Sequence, residues 1–128
     1  EVLARPRRGT VHVRTDLPDR DLVALMRGAL GFVFVSLVEG FGLPVLEAFV
    51  AGAPVITAAT TSLPEVAGDA ALLVDPADVG AIAEAMGRLA ADPALAEDLR
   101  RRGRERARQF TWERTARLTL DVYHRAVV

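Results

Sequence analysis

The sequence predicts an α/β fold with a partial doubly wound parallel sheet of about four strands and helices at its C-terminal end. Short apolar, β-rich runs alternate with segments of helical periodicity, which is the pattern of βαβ units. Residues 31–36, GFVFVS, form a continuous apolar run, as expected of a strand buried on both faces. The chain has 128 residues, 51% of them apolar, which is enough for a single domain with a core.

The first half of the chain supplies two predicted strands and two helices. A short strand is predicted at residues 10–13, TVHV, and a helix follows with an apolar face formed by Leu22, Leu25, Met26 and Ala29. The strand at 31–36 leads into the turn GFGLP and a second helix. In that helix Pro44 suits the first position and Gly52 suits the residue after the last turn.

The middle of the chain supplies two more strands around a short helix. The strands are predicted at residues 54–58 and 71–75. Ser62 and Glu65 have the spacing of a capping box, in which each residue caps the backbone of the other. That pattern explains Glu65 without any chemistry.

Three helices are predicted after the last strand. Asp78, Asp92 and Thr111 each precede a helical pattern and are predicted to cap its N-terminus. Trp112, at the start of the last helix, is predicted to be a packing anchor rather than a platform for stacking a ligand. Residues 100–108 carry six arginines, which favour a solvated helix face over a nucleic-acid-binding face because no aromatic residues are interleaved.

The composition excludes several classes of function. The formal net charge of −1 gives no general attraction to nucleic acid or to anionic membranes, and no transmembrane segment is predicted. Without cysteine, a disulfide framework or a thiolate metal site is impossible. His12 and His124 are far apart in the sequence and are predicted to be core or rim residues, so no metal and no cofactor is expected. A cytoplasmic location fits this composition.

The turn at residues 37–43 has the chemistry of a binding site for a nucleotide sugar. It follows a strand directly, at the edge where doubly wound sheets bind ligands. Gly40 and Gly42 allow close approach of a ligand to the backbone, and the following helix N-terminus attracts phosphate. Glu39 and Glu47 repel phosphate but can accept hydrogen bonds from sugar and ribose hydroxyls on its two sides. From the pattern alone, a surface turn with glutamates that complement the helix dipole remains an alternative.

The residues EGFGLPVLEAFVAGAPVI resemble the E-x7-E region of the retaining glycosyltransferases of family 4 (group 1), which have the GT-B fold. The segments DLVALMRGALGFVFVSLVEGFGLP, SLPEVAGDAALLVDPADVGAIAEAM and FTWERTARLTLDVYHRAV are similar to the family as well. The resemblance extends from about Thr10 onward. It implies a Rossmann-like, donor-binding C-terminal domain of GT-B type that uses a nucleotide-diphosphate sugar to transfer a hexosyl group.

The resemblance also implies roles for particular residues. Glu39 would contact the hydroxyls of the donor sugar and is the candidate catalytic residue. The Gly40 turn, through the N–H groups of Phe41, Gly42 and Leu43, would hold the sugar and the diphosphate, and Glu47 would accept the ribose hydroxyls. The loop with Arg14 and Thr15 would face the nucleobase, although the family usually has a glycine there.

Residues 1–128 are therefore predicted to be a single truncated nucleotide-sugar-binding domain. The resemblance implies that two strands, a basic pair that holds the diphosphate and the acceptor domain are missing. We therefore expect the isolated chain to transfer no sugar. A sheet that lacks its usual neighbours exposes an edge, so a homodimer through that edge, or pairing of residues 10–13 with 31–36, is expected. The alternative function is that of an excised or engineered half-domain that folds and self-associates without catalysis.

Overall fold

The computed structural model describes residues 9–126 and has a parallel sheet in the order β1-β2-β3. Phe32 pairs with Val55, and Val55 pairs in turn with Ala71. The α/β fold class is thereby confirmed. In chain order the elements are α1 (Asp19–Gly28), β1 (Phe32–Phe34), α2 (Leu43–Ala51), β2 (Val55–Ala58), α3 (Leu63–Ala67), β3 (Ala71–Val74), α4 (Val79–Ala91), α5 (Pro93–Ala107) and α6 (Trp112–Ala126).

Helices cover both faces of the sheet, as predicted for a doubly wound domain. On one face α1, α2 and α3 enclose a cluster that includes Met26, Phe49 and Leu63. On the other face α4 and the first half of α5 pack Leu89 and Leu99 against the sheet, while Gly103 in the second half of α5 contacts α2. All four residues of β2 are buried, because this strand is central and is covered on both sides.

The caps of the three C-terminal helices are confirmed. Asp78 Oδ1 accepts a hydrogen bond of 3.0 Å from the N–H of Ala81, and Asp92 Oδ1 accepts one of the same length from Leu95. Thr111 Oγ1 accepts from the N–H of Arg114 at 3.1 Å. Each side chain satisfies a backbone donor that would have no partner within its helix.

The predicted strand at residues 10–13 is wrong. Residues 10–13 form no regular element, and they are exposed. The sheet therefore has three strands rather than about four among the described residues, and β1 is an edge strand. A run of four residues does not hold a strand conformation without a neighbouring strand, and none of the strands described lies beside this run.

Two predictions about individual side chains are also wrong. Ser62 precedes α3 but makes no capping hydrogen bond to that helix, because its hydroxyl contacts the turn after β1 instead. Trp112 does not anchor α6, since 84% of its surface is exposed and no residue of α6 is buried within the described part of the chain. A tryptophan anchors a helix only where another element covers it. Over residues 9–126, no helix is both long and apolar enough to cross a membrane.

Candidate functional site

The turn after β1 enters α2 through a glycine in a left-handed conformation. Gly42 is the residue before the helix and has a φ of 103°, a backbone angle that residues with a Cβ rarely adopt. A Cβ on Gly42 would lie 2.6 Å from Cδ2 of the buried Leu63. By contrast, a Cβ on Gly40 would meet no atom of the described residues within 4 Å. Gly42 is thus required by the fold, whereas the space beside Gly40 is open.

The N-terminus of α2 leaves backbone donors available. Pro44 has no N–H, and the N–H of Val45 donates to Gly42 O at 3.0 Å. Within residues 9–126, we find no hydrogen bond from the N–H groups of Phe41, Gly42 or Leu43 to a protein acceptor. No acidic side chain lies in the first turn of α2 either. These donors and the helix dipole suit an anion.

The two glutamates lie on either side of this turn. Glu39 is half-buried and precedes the turn, and Glu47 is exposed one helical turn into α2. In the described part of the chain, neither carboxylate forms an ion pair or a side-chain hydrogen bond. Both carboxylates can therefore accept hydrogen bonds from a ligand.

Three consecutive hydroxyl side chains after β2 contact the backbone of this turn. We call Thr60, Thr61 and Ser62 the hydroxyl clamp. Thr61 Oγ1 accepts from the N–H of Glu39 at 3.2 Å, and Thr60 Oγ1 lies 3.5 Å from Leu37 O. Ser62 Oγ lies 3.0 Å from Glu39 O and 2.9 Å from Phe41 O, so its one proton is shared between two acceptors. The clamp therefore connects the ends of two adjacent strands.

Thr61 adopts a strained backbone conformation in this clamp. Its φ is 55°, in the left-handed region, which is a genuine outlier for a β-branched residue. Such conformations cost roughly 1–3 kcal/mol and persist only where the surrounding structure holds them. The neighbouring N–H of Leu63 donates to Thr60 O at 3.3 Å, which closes a tight turn around Thr61.

Arg106 of α5 is connected to the turn through the aromatic pair of Phe110 and Phe41. Its guanidinium group donates to the carbonyl oxygens of Glu65 and Val66 at the end of α3. The guanidinium carbon Cζ also lies 5.1 Å from the centroid of the Phe110 ring, which meets Phe41 edge-on at 6.0 Å. A cation–π contact and an aromatic pair thereby connect α5 to the side chain at the centre of the turn.

A cavity of about 490 Å³ lies between the turn and the start of α6. Its walls combine apolar groups with charged and hydroxyl-bearing groups, which is typical of ligand sites. The lining residues are Gly40, Phe41, Ser62, Glu65, Val66, Arg106, Gln109, Phe110, Thr111, Arg114, Thr115 and Leu118. No group of three or more His, Asp or Glu side chains able to hold a metal ion is found among residues 9–126.

Other candidate residues lie apart from the turn. Arg14 and Thr15 are exposed in the irregular segment before α1, and no side-chain hydrogen bond or ion pair links them to residues 39–43 in the part of the chain described. Their role at a nucleobase stays a prediction. The arginine run divides between surface ion pairs and backbone contacts: Arg101 and Arg102 pair with Asp98, while Arg106 contacts α3.

The electrostatics of this run are local. Hydrogen bonds from Arg101 and then Arg102 hold the pKa of Asp98 below its usual value. The same contact with Asp98 raises the pKa of Arg101. These groups are exposed, so their pairing adds little to stability.

Sequence reasoning missed the hydroxyl clamp and Arg106. A usable signal for the clamp was present: Thr60, Thr61 and Ser62 begin one residue after the end of β2, and the carboxyl ends of neighbouring parallel strands meet at one edge of the sheet. Three hydroxyl residues in a row at that edge could have been paired with the turn after β1. Arg106 had no comparable signal, because its position within an arginine run resembles that of a solvated residue.

The comparison with known families agrees with the site. The family described as "Glycosyl transferases group 1" matches residues 2–106, which include the turn, both glutamates and the hydroxyl clamp. The chain belongs to the group 1 glycosyl transferases. The resemblance seen in the E-x7-E region is thereby confirmed at the level of the family.

Individual group 1 relatives are similar over most of the chain. It is 43% identical over 117 residues to O-antigen chain mannosyltransferase B of Escherichia coli, covering 91% of this chain and 31% of that protein. It is 39% identical over 121 residues to MMP alpha-(1->4)-mannosyltransferase of Mycolicibacterium hassiacum, covering 91% of this chain and 29% of that protein. The chain thus spans less than a third of the length of these relatives.

A solved structure of similar fold supports the architecture. Sucrose-phosphate synthase from Thermosynechococcus elongatus superimposes with a TM-score of 0.63 and 39% sequence identity, over 74% of this chain and 25% of that one. That protein has the GT-B fold. The described part of the chain is accordingly a GT-B-type α/β unit with three strands.

Proposed function

We propose that this chain binds the nucleotide-diphosphate sugar donor of a retaining glycosyltransferase that transfers a hexosyl group. The observation that carries this proposal is the arrangement of Glu39 and Glu47 around backbone N–H groups that have no hydrogen-bond acceptor among residues 9–126, in a member of the group 1 glycosyl transferases. Two relatives are named as mannosyltransferases, so mannose is the first hexose to test.

Each part of the donor has a proposed partner. The diphosphate interacts with the N–H groups of Phe41, Gly42 and Leu43 at the positive end of α2. Glu47 accepts hydrogen bonds from the ribose hydroxyls, and Glu39 accepts them from the sugar that is transferred. Arg14 and Thr15 contact the nucleobase. The N–H groups of the turn and the dipole of α2 stabilise the leaving diphosphate electrostatically. The proposal includes no metal ion or cofactor.

The two glutamates provide the sharpest test, because they contact different parts of the donor. Glu47→Ala should weaken binding of the nucleotide diphosphate and of the nucleotide sugar alike. A hydrogen bond to a charged group is worth ~1.5–3 kcal/mol, roughly a 10- to 100-fold change in affinity. Glu39→Ala should weaken only the nucleotide sugar, since the bare diphosphate has no hexose to hold.

Isothermal titration with GDP, UDP and ADP and with GDP-mannose, UDP-glucose and ADP-glucose measures both effects. Glu84→Ala is the matched control, because Glu84 is an exposed glutamate on α4, away from the turn. A thermal-shift screen first selects the nucleotide, since a ligand at 100 times its Kd adds ~2.7 kcal/mol of stability. The proposal is wrong if both alanine variants bind every ligand like the parent while remaining folded.

The second candidate is a half-domain that folds and self-associates without binding a donor. The exposed edge of β1 favours this alternative. It predicts a stable, oligomeric chain with no thermal shift in the ligand screen. Stability and ligand binding are therefore measured on the same preparation.

A further inference from the structure

Glu39 is held by its backbone, and both of its backbone polar groups are engaged by the hydroxyl clamp. Its N–H donates to Thr61 Oγ1 at 3.2 Å, and its carbonyl oxygen lies 3.0 Å from Ser62 Oγ. Its carboxylate, in contrast, has no hydrogen-bond or ion-pair partner in the described part of the chain. The clamp therefore fixes the residue while leaving its side chain available.

The presence of threonine at position 61 is not explained by the turn in which it lies. The turn from Thr60 to Leu63 needs a positive φ at this position, which glycine adopts without strain and asparagine tolerates. A β-branched residue is the least suited to it. What threonine adds is a hydroxyl group at the N–H of Glu39.

The clamp also does not serve the helix that follows it. The residue before α3 is Ser62, whose hydroxyl makes no capping bond to α3. Its hydroxyl and that of Thr61 both contact residues more than twenty positions earlier in the chain. Strained residues and non-local hydroxyl contacts of this kind occur where a functional group must be held in one place.

We propose that Thr61 is a positioning residue for Glu39, and that its strained conformation holds the Glu39 peptide so that the carboxylate faces the transferred sugar. This inference rests on the proposed role of Glu39. It predicts that Thr61 acts on recognition of the sugar and not on recognition of the nucleotide diphosphate.

Three substitutions separate the hydroxyl from the backbone strain. Thr61→Ser keeps the hydroxyl group, Thr61→Val keeps the shape without it, and Thr61→Gly removes both the hydroxyl and the strain. Thr119→Val is the matched control, because the Thr119 hydroxyl contacts the backbone only within α6. Melting temperature is measured for every variant to show that it is folded.

Amide hydrogen exchange reports on the clamp without any ligand. Exchange at the N–H of Glu39 should be at least about tenfold faster in Thr61→Val and Thr61→Gly than in the parent, because each tenfold loss of protection corresponds to one lost hydrogen bond of ordinary strength. Thr61→Ser and Thr119→Val should resemble the parent. Thr61→Gly should melt no lower than Thr61→Val, since it relieves the strain.

Titration with a nucleotide diphosphate and the matching nucleotide sugar from the same panel reports on the site. Thr61→Val should lose about tenfold in affinity for the nucleotide sugar and less than twofold for the diphosphate, and Thr61→Ser should restore both. Unchanged exchange at Glu39, or an equal loss for both ligands, would overturn the inference while leaving the proposed function intact. If the parent chain binds no nucleotide sugar, the proposed function itself fails, and the role of Thr61 fails with it.

Discussion

At the scale of single residues, the two glycines of the turn have different roles. The sequence suggested that Gly40 and Gly42 together bring a ligand close to the backbone. In the structure, Gly42 is required by its φ of 103° and by contact with Leu63, while the space beside Gly40 is open. Glycine is thus required for the backbone conformation at position 42, whereas at position 40 it leaves space beside the backbone for a ligand.

Alanine at these two positions should therefore have opposite consequences. Gly42→Ala should destabilise the chain, by roughly 1–2 kcal/mol for the left-handed backbone and about 1–3 kcal/mol more for overpacking against Leu63. Gly40→Ala should change stability by less than about 0.5 kcal/mol. Urea unfolding measures both effects. Equal stability of the two variants would show that contact with Leu63 does not restrict the turn.

The Gly40→Ala variant also tests the site. If a ligand approaches the open space beside Gly40, Gly40→Ala should weaken nucleotide-sugar binding although the protein remains fully folded. A parent-like affinity would remove Gly40 from the binding surface. The N–H groups of Phe41, Gly42 and Leu43 would then remain as the proposed contacts.

At the scale of elements, the position of α2 depends on a close contact with α5. A Cβ on Gly103 of α5 would lie 2.6 Å from Cδ1 of Phe49, which is fully buried in α2. Because Gly103 has no side chain, α5 can approach α2 closely. Since α2 carries Glu47 and begins at the turn, this contact helps to position the candidate binding residues. Gly87 of α4 lies in a helix as well, but a Cβ there would meet nothing within 4 Å.

We expect Gly103→Ala and Gly87→Ala to change stability in opposite directions. Gly87→Ala should stabilise the protein by roughly 0.5–1 kcal/mol, because alanine favours a helix interior more than glycine does. Gly103→Ala gains the same preference but should be destabilising overall, since overpacking a core costs typically 1–3 kcal/mol. Thermal and urea unfolding distinguish these outcomes. A stabilised Gly103→Ala variant would show that α5 moves readily away from α2.

The elements also show how far sequence reasoning extends. The strands at 32–34, 55–58 and 71–74 lie within the predicted strands at 31–36, 54–58 and 71–75, which are short β-rich runs recognisable from their own composition. The strand at 10–13 failed because its stability would depend on a neighbour that its own residues do not specify. The prediction that Ser62 caps α3 was wrong for a similar reason. Its hydroxyl group donates to a carbonyl oxygen more than twenty residues away instead of accepting from the following helix.

The candidate site followed the same rule. Glu39, the glycine turn and Glu47 are contiguous in the sequence, so their relation could be predicted from a strand, a turn and a helix start. The clamp and Arg106 reach the turn from other elements, so only the fold brings them there. The nucleobase and the hexose of the donor and the role of Arg14 stay predictions, because they depend on contacts with a ligand and not on contacts within the chain.

At the scale of the whole molecule, several elements expose apolar side chains. Among them are α1, with Leu25, the region around β1, with Leu37 and Val38, and α6, with Trp112 and Tyr123. Exposed apolar surface of this kind is a mark of interfaces. The pairing of residues 10–13 with β1, which the sequence offered as one way to cover the edge, does not form.

The open side of β1 can form further hydrogen bonds. The N–H of Phe32 donates to Pro54 O at 2.8 Å, on the side of β2. In a parallel ladder the next residue directs its N–H and C=O to the other side, so those of Val33 face the open edge. Among residues 9–126 no strand occupies that side. An unpaired edge with apolar side chains favours pairing with another chain.

We therefore predict a homodimer in solution, formed through the β1 edges of two copies. Val33→Lys should shift the protein to a monomer, because a charged side chain on an edge strand opposes pairing. Leu73→Lys is the matched control, since Leu73 lies on the opposite edge strand β3 and has a similar exposed fraction, 40% against 37% for Val33. Light scattering coupled to gel filtration gives the mass of each variant, and the melting temperature shows whether it is folded.

A monomeric parent at high concentration would rule out the dimer. A dimeric Val33→Lys with a monomeric Leu73→Lys would move the interface to β3, because the two edges are the only ends of the described sheet.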